Sequence, residues 1–408
     1  MTVRFLHAAD LHLDSPLGGL DADSGAPVER IQAATRQALG RLVDLAVERE
    51  VALLLVAGDV FDGDHPDVRS ALYFTQQMAR FARSGGRAIL IRGNHDADAR
   101  LVQALRLPEG VRILDHRRPE TVELPELGLA VHGQSFATRA VSENLARNYP
   151  RALPGMLNIG LLHTALDAAG GPHERYAPCS RADLDALGYD YWALGHIHAR
   201  QEVSRAPWIV YAGNLQGRHA NETGPKGATL VTVEQGRIAE VEACALDVFR
   251  FARADIDVTG APSPDSVWTR VQEALRRAEA EAEGRDLAVR VTLIGTSPFW
   301  RELAAADLRA AVLNEANALA RPPWIEKVEC EARPAAEPLL ERADALGDLA
   351  RRIGEIAVAP PADLLGEWPA ELRERLPPGV LGPDHLLNDS GTLLARARDL
   401  LLARLGGG

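Results

Sequence analysis

The sequence predicts an α/β protein in three parts: an α/β unit over residues 1–245, a smaller βαβαβ unit over 246–333, and a helical C-terminal region over 334–408. Three observations predict it. Apolar strand-like runs alternate with stretches of helical periodicity through the first half. Several of those runs end in residues that bind metal ions. After Leu246 the strand–helix alternation starts again without such residues.

Taken in order, Val3–Ala8 is a short apolar strand ending at Asp10, and Val28–Glu48 carries Ile31, Ala34, Leu42 and Leu45 at helical spacing. Ala52–Ala57 is almost continuously apolar, as expected of a strand buried on both faces. A helix over Asp67–Arg83 and a strand over Arg87–Ile91 follow. Leu129–Gly133, Leu157–Leu162, Tyr191–Leu194 and Trp208–Ala212 read as further strands, and Ala228–Glu234 with Arg237–Ala245 as a hairpin about Gln235-Gly236. The second unit runs strand (Val248–Ile256), helix (Pro264–Glu283), strand (Asp286–Ile294), helix (Arg301–Ala320) and strand (Trp324–Glu331). In the tail, helices are expected near Glu341–Ile356 and Ser390–Arg404, with Pro360-Pro361 and Pro377-Pro378 as breaks between them.

A chain of 408 residues exceeds one ordinary core, so more than one domain is expected. No apolar run reaches the roughly 18–20 residues of a membrane helix. The N-terminus enters a strand at once, which leaves no room for a signal peptide, and the dispersed Cys179, Cys244 and Cys330 form no redox or metal spacing. A reduced, cytoplasmic setting follows. The net charge of −12 argues against coating DNA by charge alone, but two bound dications would reverse the field in a cleft.

The chemistry sits in five blocks: Asp10-Leu11-His12, Gly58-Asp59-Val60-Phe61-Asp62, Gly93-Asn94-His95-Asp96, Leu162-His163-Thr164 and Gly195-His196-Ile197-His198. Carboxylate and amide oxygens mixed with imidazoles suit manganese, iron or zinc better than an all-oxygen calcium or magnesium cage. Asp59, after the central apolar run, is the natural bridge between two ions. On an extended segment, residues two apart share a face, so Asp10 with His12 and His196 with His198 would each clamp an ion, and Asn94 with His163 would complete the second. Such a pair of ions polarises a phosphoryl group and lowers the pKa of an attacking water. His95 beside Asn94 is placed to protonate the leaving oxygen. Any one of these residues alone is ordinarily structural; together, at strand ends, they point to a two-metal phosphoesterase. Among the other histidines, His7 is expected to be structural and His116 and His173 solvated, while a substrate role stays open for His65 and His132. Gly213-Asn214 and Gln216–His219 either line the cleft or form a plain Gly-rich turn.

These blocks resemble the calcineurin-like metallophosphoesterase superfamily over residues 1–245. The opening Phe5-Leu6-His7-Ala8-Ala9-Asp10-Leu11-His12-Leu13 and the stretch Tyr211–His219 with Glu222-Thr223-Gly224 are similar to its DNA-repair nuclease branch, the SbcD- and YhaO-like proteins. The resemblance implies a four-layer α-β-β-α sandwich with a capping domain after it. It implies one ion on Asp10, His12, Asp59 and His198, the other on Asp59, Asn94, His163 and His196, with His95 as catalytic histidine and Asp62 orienting it. It further implies Mn2+ (with Fe2+ or Zn2+ as alternatives), DNA as substrate, a homodimer, and a coiled-coil SMC-like ATPase docked on the C-terminal helices. Ala212-Gly213-Asn214 departs from the usual Pro-Gly-Ser, which touches substrate contacts and not the ions. A phosphodiesterase or phosphatase for small molecules shares the same site chemistry, and a non-catalytic scaffold is the reading from another class.

Overall fold

The computed structural model of the chain describes residues 2–13, 15, 28–62, 67–97, 106–167, 176–305, 307–333, 341–356 and 389–406. The chain divides into two compact units, Met1–Arg253 with Glu279–Val289, and Ala254–Ala278 with Arg290–Gly408.

The first unit is built on two six-stranded sheets. One has the order β12-β11-β1-β2-β3-β4, formed by β1 (Thr2–Ala8), β2 (Leu53–Ala57), β3 (Arg87–Ile91), β4 (Val111–Ile113), β11 (Gly227–Glu234) and β12 (Arg237–Ala245). Strands β1 to β4 are parallel neighbours, and β11 runs antiparallel to both β1 and β12. The other has the order β5-β6-β7-β8-β10-β9, from β5 (Glu120–Leu124), β6 (Leu129–Gly133), β7 (Leu157–His163), β8 (Tyr191–Gly195), β9 (Gln201–Arg205) and β10 (Trp208–Tyr211). Its four central strands are parallel and its edges antiparallel.

Side-chain alternation along β1 explains how the sheets are covered. Val3 and Phe5 join Leu53, Leu55 and Ile89 in a core shared with Val131, Ile159 and Tyr191 of the other sheet. Leu6 and Ala8 point the other way, into a core with Leu39 and Leu42 of α1 (Val28–Glu48) and Phe74 and Met78 of α2 (Val68–Arg83). Asp67 caps α2 by accepting from Arg69 N at 2.9 Å. The outer face of the second sheet packs Leu162, Trp192 and Leu194 against Tyr149 and Leu184, the latter on the short helix α3 (Arg181–Asp185).

From Phe249 onward the chain runs β13 (Phe249–Asp257), α4 (Pro264–Glu281), β14 (Asp286–Ile294), α5 (Trp300–Ala305), α6 (Leu308–Asn317) and β15 (Trp324–Cys330), the strands forming a sheet in the order β13-β14-β15. A bidentate pair of Arg290 with Glu326, 2.8 Å on both branches, links β14 to β15. The single helix expected over Arg301–Ala320 is two helices: Asp307, whose own backbone is non-helical at φ −67° and ψ 75°, accepts from Ala310 N at 3.1 Å and starts α6 anew. In the tail, α7 (Ala345–Ile356) and α8 (Ser390–Gly406) meet through Ala350, Ile353 and Leu402. The proline breaks expected between those two helices lie outside the described residues, as do His65 and His173. No helix among the described residues is long and apolar enough to cross a membrane.

Candidate metal centre

Each block of candidate ligands follows the carboxyl end of a parallel strand, where ligands of α/β sheets gather. Asp10 and His12 follow β1, Asp59 follows β2, Asn94 and His95 follow β3, His163 ends β7, and His196 and His198 follow β8. Backbone hydrogen bonds stitch the loops together: Asp10 N to Gly58 O, His12 N to Asp59 O and Leu13 N to Val60 O, each 3.0 Å. His196 N donates to the Asp10 carboxylate at 3.0 Å.

The expectation that Asp10 and His12 share a face through an extended segment fails, because φ is 51° at Asp10 and 43° at His12. Asp59 (53°) and His196 (98°) are left-handed as well. Non-glycine residues rarely adopt this region, and clusters of them mark functional loops whose surroundings hold the strain. The side chains converge because four loops cross-brace one another.

The convergence is close. His163 Nε2 lies 2.9 Å from Asn94 Oδ1 and 3.5 Å from Asp59 Oδ2. Its other nitrogen, Nδ1, lies 2.9 Å from Ala57 O, a carbonyl that can only accept, so Nδ1 carries the proton. Burial pushes the imidazole down to about 3, so it is neutral and Nε2 is a bare lone pair. It faces the Asn94 amide oxygen, which can only accept, with no proton between them. Nearby, His12 Nε2 and His198 Nε2 stand 3.1 Å apart, with Asp59 Oδ2 4.0 Å from the first and Asp10 Oδ1 4.0 Å from the second. His12 Nδ1 is buried with no hydrogen-bond partner. Burial drives Asp10 and Asp59 up, with their mutual repulsion adding at Asp10.

A cation answers all of these features together. Asp10, His12 and His198 can offer atoms mutually within 4.8 Å, and so can Asp10, Asp59 and His163. Mixed oxygen and imidazole donors suit divalent first-row ions. Gly93 leaves the space for it, since a Cβ there would come 2.2 Å from Asp59 Oδ1. The His196 ring stands edge-on to His163 at 5.3 Å and to Tyr176 at 5.7 Å.

Beside this cluster His95 Nδ1 is 2.8 Å from Asp62 Oδ1. The hydrogen bond to Asp62 raises the imidazole against the effect of its burial. At Asp62 burial pushes up, yet the hydrogen bonds from His95 and Ser15 outweigh it and hold the carboxyl at about 2. The pair favours the imidazolium form of His95 against the Asp62 carboxylate, and His95 N also donates to Asp59 Oδ1 at 2.9 Å.

Three residues of this neighbourhood were not assigned from the sequence. Asp96 accepts from Val60 N and Phe61 N at 3.0 Å and from Gly93 N at 3.3 Å, tying the β2 and β3 loops together. Glu222 Oε1 accepts from His198 Nδ1 at 2.7 Å. Arg218, foreseen only within a stretch that either lines the cleft or turns, donates from Nη1 to Asp62 Oδ2 at 3.2 Å and from Nη2 to Glu222 Oε1 at 3.0 Å. Elsewhere, His7 is structural as expected, within reach of Tyr191 Oη at 3.1 Å and Leu194 O at 3.2 Å. His132 is structural too: it bonds Thr121 Oγ1 at 2.9 Å and Asn158 Oδ1 at 3.0 Å and stacks on Tyr189.

Residues 3–200 match the family described as calcineurin-like phosphoesterase, and residues 251–333 match the middle domain of metallophosphoesterase YhaO. Metallophosphoesterase YhaO of Bacillus subtilis is 36% identical over 302 residues, covering 73% of this chain and 73% of that protein. The DNA double-strand break repair protein Mre11 of Sulfurisphaera tokodaii is 25% identical over 260 residues, 60% of this chain and 63% of its own. One component of the nuclease SbcCD from Bacillus subtilis is 25% identical over 275 residues, 58% of this chain and 68% of its own.

Proposed function

This chain belongs to the calcineurin-like metallophosphoesterases, and from that premise we propose that it is a two-metal phosphodiesterase that cuts DNA. The observation that carries the reading is the convergence of His163 Nε2, Asn94 Oδ1 and Asp59 Oδ2 next to the His95–Asp62 pair. Asp10, His12, Asp59 and His198 would hold one ion, and Asp59, Asn94, His163 and His196 the other. Bound there, the ions would polarise the phosphoryl group and lower the pKa of an attacking water.

The chain's own groups do the rest. Asp62 holds His95 by Nδ1, favours its protonated form and leaves Nε2 to give a proton to the leaving oxygen. The Ala57 carbonyl fixes the His163 tautomer, so that Nε2 is the liganding atom. DNA as the substrate is supported by likeness to a component of a nuclease and to a DNA break-repair protein. Manganese as the ion is supported by the mixed donor set, and a cytoplasmic setting by three cysteines that are all unpaired. A partner protein docking on α7 and α8 is supported by likeness to one subunit of the nuclease SbcCD.

The test is incubation of the purified chain with end-labelled linear duplex and single-stranded DNA, with Mn2+ and with chelator, beside His95→Ala. We expect cutting that needs Mn2+ and falls about 10²–10⁴-fold in the variant. A chain that spares DNA but hydrolyses bis(p-nitrophenyl) phosphate would instead be a small-substrate phosphodiesterase. Silence on both with Mn2+ bound would leave a scaffold.

A further inference from the structure

Between the ion side and the proton side of this site runs a chain of charged hydrogen bonds made by a loop that follows β10. Glu222 is buried, and both its carboxylate oxygens are engaged. Oε1 accepts from His198 Nδ1 at 2.7 Å and from Arg218 Nη2 at 3.0 Å. Oε2 accepts from Asn214 Nδ2 and from Arg218 N, each at 2.8 Å. Arg218 Nη2 is also 3.1 Å from His198 Nδ1, but a carboxylate oxygen 2.7 Å away can only accept, so Nδ1 carries the imidazole proton and gives it to Glu222. That leaves His198 Nε2 unprotonated, facing His12 Nε2 at 3.1 Å. At its other branch Arg218 Nη1 holds Asp62 Oδ2 at 3.2 Å, and Asp62 holds His95 Nδ1 at 2.8 Å. Lys226, from the same loop, donates to the His198 carbonyl at 3.0 Å.

We propose that Glu222 and Arg218 are positioning residues of the two-ion site: Glu222 fixes the tautomer and ring of His198, and Arg218 locks that ligand to the Asp62–His95 proton donor. The inference rests on the two-metal reading above. A bare surface ion pair would not have this consequence, because it is screened and its geometry is loose. Here the carboxylate is a hub with five donors, Arg218 Nε being the fifth at 3.3 Å, and one forked cation reaches two acids that serve different halves of the chemistry. Groups that hold the far nitrogen of a metal-bound imidazole set both its orientation and its basicity.

The experiment uses the full chain with Glu222→Gln, Arg218→Met and Arg218→Lys. Mn2+ affinity is read by calorimetric titration, fold integrity by thermal melting without metal, and kcat and KM on bis(p-nitrophenyl) phosphate. Glu222→Gln should weaken Mn2+ binding about 10- to 100-fold. Arg218→Met should lower kcat more than it raises KM. Arg218→Lys should restore only part of that loss, because an ammonium cannot fork to both acids. Should Glu222→Gln fail to fold, Arg218→Lys still decides the matter, through a smaller loss of Mn2+ affinity in the same direction. Variants that melt lower yet bind Mn2+ and turn over as the parent does would overturn the proposal and leave a purely structural ion pair. A parent chain that binds no Mn2+ would remove the two-metal reading, and this inference with it.

Discussion

Gly93 touches the centre of the site without a side chain of its own. A Cβ there would come 2.2 Å from Asp59 Oδ1 and 2.9 Å from Asp59 N, so Gly93→Ala has to displace the carboxylate between the two proposed ions. We expect Mn2+ affinity to fall at least about tenfold while the metal-free fold persists, measured by calorimetry beside circular dichroism. Asp96 is the complementary case. It meets three backbone N–H groups, so Asp96→Asn turns part of its acceptor surface into a donor facing a donor. A loss of roughly 1–3 kcal/mol in urea denaturation of the metal-free chain is expected; no loss would mean that the β2 and β3 loops hold themselves. At this scale the candidate ligands could be read from the sequence because residue type and position after an apolar run are both local facts. Asp96 appeared only as the last residue of its block. Glu222 and Arg218 were illegible in their roles because those depend on a loop returning across the sheet to His198 and Asp62.

The elements divide along similar lines. Strands β1, β2, β3, β7 and β8 announce themselves as apolar runs because both faces are covered. The unexpected β4, β5 and β9 are edge strands, β4 only three residues long and β9 a polar run, Gln201–Arg205, of which no residue is fully buried. An edge strand needs neither a continuous apolar run nor two buried faces, so no pattern marks it. Helix α3 was also missed, being five residues long. It depends on its cap: Ser180 Oγ accepts from Asp183 N at 3.2 Å, while the Asp183 carboxylate accepts from Ser180 N at 2.9 Å. Ser180→Ala should cost about 1 kcal/mol. The Ser180 hydrogen bonds also hold Asp183 at about 2, below its ordinary 3.8. An acid depressed in the folded state stabilises it fully above the unfolded value and ceases to do so as pH falls through about 2. Between pH 4 and 2 the parent should therefore lose stability more steeply than Ser180→Ala, in denaturant melts at fixed ionic strength. Parallel curves would contradict this account of the cap.

At the scale of the whole chain, the first unit gathers segments far apart in sequence on one buried acid. Asp247 is fully buried and pairs with Arg250 at 2.8 Å and Arg285 at 3.1 Å, and its carbonyl accepts from Arg41 Nη1 at 2.6 Å. Asp247→Ala would take the buried carboxylate from two guanidiniums and leave them Glu283 and backbone carbonyls, and a loss of roughly 1–3 kcal/mol is expected in equilibrium unfolding. Nothing in the local sequence distinguishes this aspartate from the other acids of a chain with net charge −12. The same acidity sharpens the central claim, because an acidic phosphoesterase needs cations where its anionic substrate binds. The direct measurement is calorimetric titration of the metal-free chain with Mn2+, counting ions per chain for the parent and for His163→Ala. Two ions for the parent and one for the variant is the result expected of a site shared through Asp59. A parent that takes up no Mn2+, or a variant that still binds two ions with unchanged affinity, would contradict it.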